Sequence, residues 1–502
     1  MMPEESVDTD ARADKAWLLG VQRKLYQWSR ENPERIYREL WGWVIDIRNL
    51  RCAWRTIASN KGRRTPGVDG VTAKHVHRQG VDAYLEGVRK ELQDRSYVPS
   101  PARRVWIPKP GKPGEFRPLG VPTVKDRIVA CAVKQIIEPF FEARFHHVSY
   151  GFRPGRSCHA ALEHIRVATR SGKKTDGKRR AFPCQWVIEG DIKGCFDHID
   201  HHQVLERIRR RCGDRKVNRL LLLFLKAGVL AEDQFIRTDA GTPQGGILSP
   251  LLANVALSII EERYERWVHQ YTSKGDGRLA AQHARASDRK AGRAVFFPIR
   301  YADDFVVLVS GTYDDALKEK EALAQYLKET ARLDLSVEKT YITSIEKGFE
   351  FLGHSVRVKW DGRCGYSPRI GIPKRKVLDF RYQIKQWTAR NTTAWSLARL
   401  IGKINPILRG WSGFYRHCAG AKTIFSGLDW YVGDRILRWM GRKYPKAGAR
   451  EIMRFCQRIK GRRNWREGKE ELFLMGRRKV ERYSLKWMRR PDYAMISGEP
   501  SA

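Results

Sequence analysis

Residues 298–310 read Pro-Ile-Arg-Tyr-Ala-Asp-Asp-Phe-Val-Val-Leu-Val-Ser, which sets two adjacent carboxylates, Asp303 and Asp304, between two β-forming pieces. The short polar centre between those pieces predicts a tight hairpin turn. Aspartates are common in turns because their side chains bond to nearby backbone, and alone the pair is more often a solvated turn than a metal site. A second acid in a similar setting changes that balance. Asp191 stands near the end of the apolar run WVIEGDI (186–192), just before a helix-like segment that begins near Cys195. Two strands that each end in acid can converge. Nucleotidyl transfer uses two divalent cations about 3.5–4 Å apart, and magnesium takes one or two carboxylates with phosphates and water rather than a closed protein cage. Asp191, Asp303 and Asp304 are a donor set of that kind.

Working outward, the chain alternates short apolar runs with helical patterns such as LLANVALSIIEERYERW (251–267), which predicts an α/β organisation. Its 502 residues exceed one hydrophobic core, so two or more domains are expected. The polar stretches 171–180 and 273–293 read as surface loops. There is neither a solenoid-type repeat nor a Walker-type phosphate loop.

The formal net charge of +40 is far more than solubility requires and points to a polyanionic partner, with nucleic acid ahead of an anionic membrane. The longest apolar run, Leu220 to Leu225, is too short to span a bilayer. The acidic start MMPEESVDTDARADK does not resemble an export signal, so an intracellular, cytoplasmic protein is expected. Basic charge gathers in residues 371–490, where 31 Lys and Arg face 8 Asp and Glu and seven of the sixteen Trp are interleaved. Cations on phosphates and aromatic faces on unpaired bases are how proteins hold RNA. Core packing is the expectation for most of the individual tryptophans. The nine cysteines contain no Cys-x-x-Cys pair, which argues against a zinc ribbon. Cys195, His198 and His201 or His202 follow at near-helical spacing, yet zinc is not expected there, since such residues often follow a buried strand without a ligand role.

The ordered blocks DIKGCF (191–196), GTPQGGILS (241–249) and YADD (301–304) resemble those of group II intron-encoded reverse transcriptases with an attached maturase region. The resemblance extends through TPGVDGVT (65–72), FRPLGVPTVKDRIVACAVKQIIEP (116–139), YGFRPGRSCHAAL (150–162), LSVEKT (335–340) and FLGH (351–354), nearly the whole chain. It implies Asp191, Asp303 and Asp304 as catalytic ligands of two Mg²⁺ ions, with the Ile192 carbonyl as a backbone ligand. By the same resemblance Phe196 presses on the sugar of the incoming nucleotide. Lys109 and Arg117, bracketing a Gly/Pro-rich hairpin, would bind its phosphates, with Lys112 as a substitute for Lys109. Gln244 would lie where glycines let backbone approach the nucleotide, and Lys339 would protonate departing pyrophosphate. Each has a plainer alternative, a core phenylalanine for Phe196 and a helix-entry loop for Gln244.

The resemblance further implies a right-hand polymerase: an N-terminal extension at 1–60, fingers at 61–185, a palm with a small antiparallel sheet at 186–360, a helical thumb or maturase region at 361–440 and a basic nucleic-acid-binding tail at 441–502. RNA contacts are expected from Arg409, Trp411 and Tyr415, whose spacing equally suits core aromatics. The implied activity is RNA-directed DNA synthesis with intron splicing and retrotransposition. Its partners are group II intron RNA, an RNA template with a DNA primer, deoxynucleoside triphosphates and target DNA, in a bacterial cytoplasm with nucleoid association on DNA. A reverse transcriptase recruited to defence or spacer acquisition, and a catalytically silent splicing factor, are the competing readings; the intact aspartates oppose the second. No His-Asn-His nuclease is expected, because no cysteine follows Cys456 and no histidine follows His417.

Overall fold

The computed structural model describes residues 4–108, 114–170, 183–231, 234–236, 240–242, 245–268, 277–360, 366–459 and 462–485. The chain divides into two compact units, one of residues 1–161, 184–343 and 486–502, the other of residues 162–183 and 344–485. The expectation of a mixed α/β fold with an antiparallel sheet holds.

The first unit is built around the helix Val124–Glu142, which is buried almost all round and packs against the helices Glu4–Glu31 and Ile47–Ser59. Thr123 caps its start by accepting from the Asp126 N–H, satisfying one of the backbone donors that a helix leaves open. Pro139 lies inside it and has no N–H to offer the carbonyl four residues earlier. The Gln22 side chain takes that carbonyl, at Gln135, with a bond of 3.0 Å. A local defect in one helix thus fixes where another docks.

Strands β1 (Ala102–Pro108) and β2 (Phe116–Val121) form an antiparallel hairpin, as the Gly/Pro-rich sequence predicts. The second sheet uses β3 (Trp186–Asp191), and β4 (Val229–Ala231) and β5 (Gln234–Ile236) extend the first in the order β2-β1-β4-β5. Adding β6 (Val295–Tyr301), β7 (Asp304–Ser310) and β8 (Tyr341–Ser344) completes the second sheet in the order β6-β7-β3-β8. Its central strand β7 is apolar at consecutive positions because both of its faces are covered.

The stretch 273–293, read above as a surface loop, contains the helix Arg278–Lys290. Alanine and arginine are strong helix formers, and the anchor is non-local. Asp288, nearly fully buried, accepts from Arg266 at 2.8 Å, the Trp267 indole at 2.9 Å and Arg293 at 2.5 Å. The stretch 171–180 lies outside the described residues.

The second unit holds the sheet β9 (Phe349–Phe351), β10 (His354–Trp360) and β11 (Tyr366–Gly371), with helices Lys374–Trp387, Leu397–Tyr415 and Ala421–Lys443. Trp439 is fully buried and its indole donates to Thr392 Oγ1 at 3.0 Å. Part of the basic segment after residue 440 forms secondary structure. Strands β12 (Cys456–Ile459), β13 (Arg462–Glu467) and β14 (Glu470–Glu471) follow, and Asn405 clamps their end by donating to the Glu471 carbonyl at 2.8 Å and accepting from the Phe473 N–H at 2.7 Å.

Candidate active site

In the β6–β7 hairpin Tyr301 pairs with Asp304, which leaves Ala302 and Asp303 as a two-residue loop. Such loops favour turns with a positive φ at the first central residue. Ala302 has φ of 58°, a conformation glycine adopts more cheaply. The surroundings hold it there. The buried Arg300 guanidinium donates to the Ala302 carbonyl at 3.0 Å, to Asn254 Oδ1 at 3.1 Å and to Ser149 Oγ at 2.9 Å, and pairs with Glu261 at 2.7 Å. Gly151 lies against the same turn: a Cβ there would fall 2.2 Å from the Ala302 nitrogen. Asn254 binds the Gly151 carbonyl at 2.8 Å, closing the support around the tip.

Asp191 sits directly opposite Asp304 in the β3–β7 ladder. Its carbonyl accepts from the Ser336 N–H at 2.8 Å, and the Lys193 N–H reaches the Asp334 carbonyl at 3.0 Å. These bonds flank the Ile192–Leu335 bridge, so Ile192 is a non-hydrogen-bonded position whose carbonyl turns away from Leu335. By the same alternation Asp191 and Asp304 are a non-hydrogen-bonded pair, the type in which facing side chains approach most closely.

The electrostatics are those of acids short of counter-charge. Burial raises the Asp303 carboxyl above its usual range, and the Asp191 charge raises it further. The Asp304 side chain is solvent-exposed, yet the protein around it first, and the charges of Asp303 and Asp191 second, push it up to about 6. Lys339 and Arg117 pull both acids the other way. Lys339 Nζ lies 2.6 Å from Asp191 Oδ2, and that bond raises the lysine's own pKa. Hard oxygen donors under mutual repulsion suit a divalent cation. Among the described residues no group of three or more His, Cys, Asp or Glu is placed to hold a metal ion.

Phe196 lies on the short helix Cys195–His198, half-buried, its ring in edge contact with Phe152 at 6.2 Å. Phe152 is about half exposed and has φ of 57°. The Thr242 N–H binds the Phe196 carbonyl at 2.7 Å. Gly241 and Gly245 both have positive φ. Added Cβ atoms would meet the Asp197 carbonyl at 2.6 Å and the Leu119 side chain at 2.6 Å respectively, which accounts for glycine at both positions. Arg117 is exposed on β2. Lys109, Lys112 and Gln244 lie outside the described residues. His201 Nε2 is 2.6 Å from the Gly241 carbonyl and His198 Nδ1 2.9 Å from that of Gly194, while burial pushes the Cys195 thiol up to about 12.

In the second unit Arg409 is exposed. Trp411 instead joins an aromatic cluster with Phe380 at 4.9 Å and Tyr415 at 4.6 Å. Tyr415 is 4% exposed and its hydroxyl donates to the Gly353 carbonyl at 3.2 Å. Its ring has no free face for a base, so the expectation of an RNA contact at Tyr415 is replaced by a packing role. Sequence reading also passed over Arg300, Asn254, Gly151 and Phe152. One signal was present, a charged residue inside the apolar run VFFPIRY.

Residues 107–356 match the family described as reverse transcriptase (RNA-dependent DNA polymerase), and residues 377–456 match the group II intron, maturase-specific domain. The chain is 33% identical over 397 residues to the group II intron-encoded protein LtrA of Lactococcus lactis subsp. cremoris, covering 72% of this chain and 63% of that protein. It is 34% identical over 371 residues to protein YkfC of Escherichia coli (strain K12), covering 72% of this chain and 93% of that one. A more distant relative, nuclear intron maturase 1, mitochondrial, of Arabidopsis thaliana, is 25% identical over 300 residues, 47% of this chain and 40% of that one. The chain thus spans less than two thirds of the Lactococcus protein's length. Among the described residues no helix is long and apolar enough to cross a membrane. With a reverse transcriptase match over residues 107–356 and a maturase-specific match over residues 377–456, the chain belongs to the family of group II intron-encoded reverse transcriptase/maturases.

Proposed function

We propose that this chain is an RNA-directed DNA polymerase that extends a DNA primer on an RNA template from deoxynucleoside triphosphates, and that it binds its host intron RNA to promote splicing and insertion into target DNA. The observation that carries the polymerase reading is the Asp191–Asp304 pair with Asp303 on the adjoining turn. Those carboxylates, with the Ile192 carbonyl, would hold two Mg²⁺ ions. Bound there, the ions would activate the primer hydroxyl and stabilise the charge that develops on pyrophosphate.

The chain's own groups do the rest. Arg117 grips the triphosphate, with Lys109 as a second cation. Phe196, backed by Phe152, closes the space beside the sugar 2′ carbon. Gln244, which stands between Pro243 and the glycine pair 245 and 246 in the sequence, contacts the nucleotide. Lys339 keeps its proton at rest against Asp191 and delivers it to the departing pyrophosphate. Asp303→Asn should abolish primer extension while leaving RNA binding intact; extension at the wild-type rate would refute the site.

Intron binding rests on the cationic second unit, with Arg409 as a surface contact. Its affinity should fall steeply with salt, because each neutralised phosphate releases counterions. A flat dependence of log K on log salt would refute it.

A further inference from the structure

A groove of about 370 Å³ in the first unit shares no residue with the acid site, and falls within the span of about 300–1,000 Å³ usual for ligand pockets. Leu223 and its apolar neighbours floor it, Trp41 walls it, and Arg95, Arg215, Lys216 and Arg219 surround it. No Asp or Glu lines it. The four cations are exposed, and among the described residues none has a carboxylate partner.

The placement of three of them runs against local physics. Arg215, Lys216 and Arg219 fall in the first turns of the helix Arg215–Lys226, the positive end of its dipole, where cations are disfavoured. Arg95 follows the helix Val81–Gln93 with φ of 60°, the left-handed position of an ordinary helix cap in which the Ser96 N–H bonds the Glu91 carbonyl at 3.0 Å. The groove is also firmly mounted. Asp214 caps the helix through the Lys216 and Val217 N–H groups at 2.9 and 3.2 Å, and its other oxygen takes the Leu40 and Trp41 N–H groups at 2.9 Å each. One buried carboxylate therefore holds the indole-bearing backbone and the cationic helix together.

We propose that this groove is a second nucleic-acid site, which takes single-stranded RNA with one unpaired base on the Trp41 face and its phosphates on Arg95, Arg215, Lys216 and Arg219. The inference deepens the reading of the chain as an RNA-handling enzyme and rests on it. The four unpaired cations select a polyanion. Trp41 packs partly against the core and keeps a minor part of its surface exposed beside the cations; a partly exposed indole selects a strand whose bases are free to stack, which excludes a continuous duplex.

The test uses the full chain with a labelled single-stranded oligouridylate and an RNA duplex of equal length. Trp41→Leu should weaken single-strand binding about tenfold, the scale of one base–aromatic stack, with Trp41→Phe restoring it and duplex binding unchanged. Replacing Arg215, Lys216 and Arg219 together by Ala should flatten the single-strand salt slope by about two units, at about 0.7 per phosphate contact. A 5-bromouridine strand should photocrosslink to the peptide carrying Trp41. Wild-type affinity and slope in both variants, equal loss for strand and duplex, or crosslinks only elsewhere would each overturn the proposal. Primer extension is read in parallel: its absence from the wild type refutes the polymerase reading and leaves these binding results interpretable.

Discussion

The Arg300 guanidinium donates to the carbonyl of Ala302, two residues ahead of it, at 3.0 Å from a fully buried position. The same side chain pairs with Glu261 at 2.7 Å, and both are shielded from water. Burial raises the Glu261 carboxyl and the Arg300 charge opposes that rise. Arg300→Met should cost about 3–5 kcal/mol in denaturant unfolding, since a buried charge loses its partner. Adding Glu261→Leu should recover much of that stability without restoring primer extension, because the Ala302 carbonyl still lacks its donor. Full activity in the stable double variant would show that Arg300 does not position the turn.

Gly151→Ala tests the same turn from the other side. The new methyl would meet backbone rather than a flexible side chain, so the tip carrying Asp303 must shift. A displacement of about 1 Å near the reacting atoms can cost about a hundredfold in rate. Extension should fall on that scale with RNA affinity unchanged. An unaltered rate would mean that the turn tolerates the shift.

Asp304 gives a dependence on pH. Its folded pKa of about 6 lies above the ordinary carboxylate value near 4. The group's stabilising contribution in the metal-free protein is therefore fully present below about 4 and lost as pH rises through about 6. Asp304→Asn should be more stable than wild type at pH 7.5 without metal, and this advantage should vanish near pH 4. Cation affinity should move in the opposite sense, weakening as pH falls through about 6, as Mn²⁺ binding followed by electron paramagnetic resonance would report. Equal unfolding curves for the two proteins at pH 7.5 would contradict the assignment.

Phe196→Ala should admit ribonucleotides far more readily by opening space beside the sugar. Phe152→Ala should produce a weaker version of the same effect, since it removes the ring that contacts Phe196. Discrimination unchanged in both would leave Phe196 as a core residue.

Much of the site was legible because its signals are local. A hairpin with two acids at its tip, a strand ending in Asp191 and a Gly/Pro turn between two extended runs are each encoded within about ten residues, where strand periodicity and turn chemistry operate. The net charge likewise follows from composition alone. What only the tertiary structure decided depends on distant partners. The 278–290 helix needs Arg266 and Trp267 to cover Asp288, and Tyr415 is packed away by contact with Gly353. Arg300 supports the turn through Ser149, 151 positions away, and Gly151 matters only because folding brings it against Ala302. The sequence by itself determined which groups could perform the chemistry. Burial and long-range packing decided which are held in place to do so, because a side chain's surroundings come from segments that its own local pattern does not specify.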